Sequence, residues 1–164
     1  MTYRYFYDCE FIEDGVTIEL VSIGVVDENG REFYAVSTEF DPARAIPWVR
    51  DNVLNLLPSP ADPAWRSRER IREDLLAFLI EPLRGRQHEA IELWAWYAAY
   101  DHVCLAQLWG PMTALPRVIP RFTKDLRQLW DDKRRPKLPG AQDTRHDALV
   151  DARHNLARWR TMMS

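Results

Sequence analysis

No apolar run in this chain approaches the ~18 residues that cross a bilayer. The N-terminus also lacks the basic-then-apolar pattern of a secretory signal. A cytoplasmic protein with no membrane partner is therefore expected. Cysteine is scarce: Cys9 and Cys104 are the only two, too few for a disulfide framework and in keeping with a reducing compartment. Neither sits in a nucleophile–base pattern, so thiol hydrolysis is not expected. There is no internal repeat and no low-complexity tract. Positive charge is in deficit, with a net of −3, but it is unevenly spread. Residues 1–60 are net −7 and residues 117–164 are net +6. Nucleic-acid contact needs a local basic surface rather than a basic total.

What is abundant is aromatic: seven Trp, six Tyr and six Phe among 164 residues, with 29% charged. That mixture describes an ordinary globule with a large core. The length suits one compact domain over residues 1–164. Residues 2–8 read as a first strand, and the β-branched run 17–26 as a second, buried on both faces. Asp27-Glu28-Asn29-Gly30 is a turn, with a third strand over 31–38. Three strands on short loops make an antiparallel meander. Helical spacing predicts helices over 47–56, 66–80 (capped by Ser67), 100–109, 123–130 (capped by Thr123) and 147–162. Between them fall a loop over 84–89, an aromatic strand at 91–96, a minor strand near 118–122 and a basic loop over 133–140. The fold class is α/β, a mixed five-stranded sheet covered by helices.

The chemistry centres on Asp8 and Glu10. On a strand, residues i and i+2 share a face, so both carboxylates project together. Like charges side by side are costly unless a cation lies between them. Two more acids fall at helix starts. Asp101 follows the aromatic strand, where position alone favours helix capping. In His146-Asp147-Ala148-Leu149-Val150-Asp151-Ala152, Asp147 is the expected cap. Asp151 lies a turn further on, beside small residues that let the helix approach the sheet. Cys9 should point away from the acids.

This ordered set of D-x-E, a later Asp and H-x-x-x-x-D resembles the DnaQ-like (DEDDh) 3′–5′ exonucleases. A closer likeness, to the RNase AS type of adenylate-preferring exoribonuclease, is carried by YFYD-x-EFIEDG (5–15), TIEL-x-SIGVV (17–26), ELWAW (92–96), AYDHV (99–103) and LWGPMTALP (108–116). The resemblance implies a ribonuclease H-like fold and a homodimer. It also implies an enzyme that degrades single-stranded, adenylate-rich RNA 3′ ends to 5′-nucleotides. Phe11-Ile12-Glu13-Asp14-Gly15 departs from the x-Thr-Gly that many of these enzymes carry after the first Glu.

Phosphodiester hydrolysis needs an activated water and stabilisation of the departing 3′-oxygen, which two Mg²⁺ ions (or Mn²⁺) supply together. Hard ions take carboxylate oxygens. Asp8 is then the bridging ligand, Glu10 and Asp151 complete one ion, and Asp101 supports the other. His146 is the expected general base, in preference to His102 and His154. Phe11 and Glu19 are candidate substrate-binding residues; Glu19 qualifies if it pairs opposite Asp8 and so shares its face. Two alternatives stand beside this reading. One is a DNA-directed exonuclease, the other a non-catalytic nucleic-acid-binding module.

Overall fold

The computed structural model describes residues 1–84, 90–140 and 146–164; most of the loop expected at 84–89 lies outside them. Strand β1 (Thr2–Glu13) pairs antiparallel with β2 (Ile18–Asp27), which pairs antiparallel with β3 (Glu32–Ser37). Helix α1 (Pro47–Asn52), the short β4 (Trp65–Arg66) and α2 (Arg68–Ile80) follow. Then come β5 (Ala90–Ala95), α3 (Ala99–Gln107), β6 (Lys124–Asp125), α4 (Leu126–Asp132) and α5 (Ala148–Met163). The sheet order is β4-β3-β2-β1-β5-β6, with β4, β5 and β6 each parallel to its neighbour.

The mixed sheet thus has six strands rather than five. The extra one is β4, two residues that the helical pattern over 66–80 concealed. The sixth strand lies at 124–125, not at 118–122, where the chain only turns. Ser67 caps α2 as expected, accepting from the Arg70 amide. Thr123 does not cap α4. Asp125 does, accepting from the Arg127 amide, because the Thr123 hydroxyl is taken by Tyr7 Oη at 2.6 Å and His102 Nδ1 at 3.0 Å.

β1 is longer than its aromatic half implied. It runs through the two acids to Glu13, and a tight turn follows in which Asp14 Oδ1 accepts from the Val16 and Thr17 amides. That turn sets Glu13 opposite Ile18 and Ile12 opposite Glu19, and a bulge between Glu10 and Phe11 then shifts the register by one residue, so that Asp8 lies opposite Gly24. The expected Asp8–Glu19 pairing is therefore not formed. Glu19 binds Arg44 at 3.3 Å, away from the acids.

β1 is buried on both faces. Tyr5, Tyr7 and Cys9 join Ile23, Val25, Ile71, Leu75, Leu79 and Leu105 in the main core. Each such aliphatic side chain contributes about 1.5–3 kcal/mol by burial. On the opposite face Phe6 packs with Val26, Ala152 and Leu156, and Ile12 with Val21, Val49 and Val53. Asp8 and Glu10 alternate with these residues, so they sit between two apolar clusters.

Two features bring α5 onto this strip. Gly24, opposite Asp8, leaves no room for a side chain: a Cβ there would lie 2.4 Å from the Ala148 carbonyl and the Leu149 amide. One turn past Asp151, the buried Asn155 donates from Nδ2 to the Tyr7 carbonyl at 3.0 Å. That carbonyl is free because β1 parts from β5 after the Phe6–Trp94 pair.

Candidate active site

The parting of β1 and β5 opens a cleft of about 620 Å³ at the carboxyl ends of both strands, the usual place for a ligand in an open α/β sheet. Asp8, Glu10, Asp101, His146 and Asp151 all line it. Asp101 reaches it from the first turn of α3. It does not cap that helix, whose N-cap is Ala98 with no side-chain bond. Instead Asp101 Oδ1 accepts from the Cys9 amide at 2.8 Å, a donor that the local sequence does not reveal. Asp147 caps α5 through the Leu149 and Val150 amides, which leaves Asp151 free to face the strand. Cys9 points into the main core, away from the acids.

His146 precedes α5 in a left-handed conformation, φ 71°. Its amide donates to Asp151 Oδ2 at 2.8 Å, and its ring meets the edge of Trp48 at a centroid distance of 4.8 Å. Glu10, His146 and Asp151 each offer a ligand atom within 4.8 Å of the others. The competing histidines lie elsewhere: His102 is bonded to Thr123 and His154 is buried within α5.

The electrostatics are those of a predominantly anionic site. Burial, followed by repulsion from Asp101, Glu10 and Asp151, pushes the Asp8 carboxyl well above the usual range. Burial and then Asp151 and Asp101 raise Glu10 to about 8. Burial raises Asp101 to about 7 although the Cys9 amide opposes it. Among the described residues none of the four acids has a basic side chain within 4 Å, whereas peripheral acids do. Several hard oxygen donors, buried or half-buried and mutually repelling, fit divalent Mg²⁺ or Mn²⁺.

The domain model described as "3'-5' exoribonuclease Rv2179c-like domain" matches residues 3–163. The chain belongs to this family. Two curated relatives from Mycobacterium tuberculosis are "3'-5' exoribonuclease Rv2179c" (strain ATCC 25618 / H37Rv) and "3'-5' exoribonuclease MT2234.1" (strain CDC 1551 / Oshkosh). Each is 63% identical over 161 residues, covering 98% of this chain and 94% of the relative.

In this member of the Rv2179c-like family the cleft holds residues that the motifs left out. Phe11, already a candidate on sequence grounds, stacks on Tyr100 with centroids 5.8 Å apart and an interplanar angle of 13°. Trp48, Trp96, Tyr97, Asn155 and Arg158 complete the walls. Asn155 and Arg158 repeat at helical spacing from Asp151, a signal available in the sequence. Trp48 carries no such signal, since only the folding of α1 over the sheet brings it to His146.

Proposed function

We propose that this chain is a metal-dependent 3′–5′ exoribonuclease that shortens single-stranded RNA and releases 5′-nucleotides. The observation that carries the reading is a set of four carboxylates, Glu10 and Asp101 buried and Asp8 and Asp151 half-buried, without basic partners among the described residues, with His146 against it, at the floor of an open, aromatic-walled cleft. Family membership agrees with it. We further propose the DEDDh type of site, a single domain with the ribonuclease H-like architecture, adenylate-rich 3′ ends as substrate, a cytoplasmic setting and a homodimer. The motif resemblance supports these finer assignments.

Asp8, Glu10, Asp101 and Asp151 would hold two Mg²⁺ ions, with Asp8 shared. Bound there, the ions would supply charge neutralisation and Lewis-acid activation for displacement at phosphorus. His146 takes a proton on its imidazole from the attacking water. The water oxygen bonds to phosphorus as the P–O3′ bond breaks, and the leaving oxygen gains a proton. One 5′-monophosphate nucleotide departs and the shortened chain keeps a 3′-hydroxyl. Phe11 with Tyr100, and Trp48 across the cleft, offer flat faces on which terminal bases stack.

Matched RNA and DNA oligonucleotides incubated with Mg²⁺ or EDTA, followed by product identification, test the proposal. Release of 5′-nucleotides from the RNA 3′ end, abolished by EDTA and fastest on oligoadenylate, is expected. Metal-independent release would overturn the mechanism, preference for DNA would overturn the substrate class, and binding without release would reduce the protein to a binding module.

A further inference from the structure

Arg158 lies seven residues after Asp151 on α5 with Asn155 between them, so the three form one stripe along the cleft wall. Helical side chains lean toward the helix N-terminus, which directs Arg158 back toward the acids. Its guanidinium lies over the Trp96 ring, 4.3 Å from the centroid. Nη1 donates to Asn155 Oδ1 at 3.0 Å, and Asn155 is in turn anchored on the Tyr7 carbonyl. Both supports are neutral. Arg4, Arg31, Arg44, Arg66 and Arg153, by contrast, each have a carboxylate within 4 Å. Arg158 forms no such pair among the described residues, yet it is close enough to Asp8 and Asp151 for their charges to be felt.

A guanidinium presents five N–H donors in a rigid fork that matches phosphate. Here one donor is spent on Asn155 and one face on Trp96. The remaining donors are held in place beside the site of reaction without being neutralised by it. A cation needed only to offset the acids would gain most by bonding to one of them. We propose that Arg158 is a phosphate-binding residue: it grips the phosphate of the 3′-terminal nucleotide and keeps hold of it as the 5′-phosphate of the released product. Trp96 and Asn155 are its positioning residues. The proposal rests on the exonuclease reading for its choice of ligand.

Binding of adenosine 5′-monophosphate and of adenosine, compared by calorimetry in Mg²⁺, tests it without any turnover. The parent should favour the monophosphate. Arg158→Gln should lower that preference by roughly ten- to hundredfold, the worth of a charge-assisted bond, and leave adenosine binding unchanged. A structural role alone would weaken both ligands together. Arg158→Met keeps a long stem against Trp96 and gives the same comparison if the Gln variant melts early. An unaltered preference in either folded variant overturns the assignment, as does a parent indifferent to the phosphate. A parent that prefers the monophosphate but releases no nucleotide from RNA would sink the exonuclease reading and leave Arg158 in place.

Discussion

The acids at the edges of this molecule and those at its centre live in opposite surroundings. At the edges Arg44 spans Asp14 and Glu19, Arg4 spans Glu28 and Glu92, and Arg153 grips Glu32 through two bonds of 2.7 Å. Bonding to Arg153 holds Glu32 below its ordinary value. At the centre burial and mutual repulsion drive Asp8, Glu10 and Asp101 the other way. Edge pairs contribute only about 0–1 kcal/mol each. The central set costs stability, and a fold carries such a cost where a ligand relieves it.

The sharpest way to break this contrast is Asp8→Asn. Turnover should nearly vanish in a Mg²⁺ assay while the fold persists. In EDTA the variant should be more stable than the parent by about 1–3 kcal/mol at pH 8. The folded-state values of Glu10 and Asp101 are raised, so their contribution is harmless at acid pH, where folded and unfolded chains are both protonated. The metal-free parent therefore loses stability as pH climbs from about 4 toward about 8. Glu32 behaves inversely, stabilising above the ordinary carboxylate value and ceasing to as pH falls through its depressed one. Thermal melts across pH, with and without Asp8→Asn, check both signs. A variant with near-normal Mg²⁺-dependent activity would remove the shared-ligand role.

His146→Ala should slow turnover by about 10²–10⁴-fold with metal affinity nearly intact, measured by single-turnover kinetics and metal titration. A larger loss from His102→Ala would reassign the base. Gly24→Ala should cost about 1–3 kcal/mol by overpacking and should lower turnover without touching any acid. Melts beside the nuclease assay would show it. The smallest effect is expected from neutralising Lys133, Arg134 and Arg135 together. RNA binding should weaken and its salt dependence flatten, by roughly 0.7 in slope for each phosphate no longer neutralised. An unchanged slope would confine that loop to solubility.

Where one period or one short motif decides the outcome, the sequence is legible. The i, i+2 rule puts Asp8 and Glu10 on one face and Cys9 on the other. Ala148 and Ala152 mark the face of α5 that meets the sheet, and Asp147 is its cap. What escapes depends on partners distant in the chain. Register between β1 and β2 follows from the Asp14 turn and from the bulge between Glu10 and Phe11, so sequence alone gives Glu19 the wrong partner. Asp101 resembles a cap because the Cys9 amide that claims it lies 92 residues away. Thr123 resembles one for the same reason, its hydroxyl being taken by Tyr7. Two-residue strands such as β4 and β6 are too short to show alternation.

Gly24 sets the separation between the strand acids and Asp151 in a particular way. Where helix and sheet meet through side chains, their spacing inherits the slack of rotamers and of a repacking core. Here main chain rests on main chain, and the gap is governed by covalent geometry and van der Waals radii. The site is thus gauged by a hard stop rather than a cushion. Conservative exchanges at Leu156, Val26 or Leu75 should soften the protein long before they detune its carboxylates, whereas one added methyl at position 24 acts as a shim.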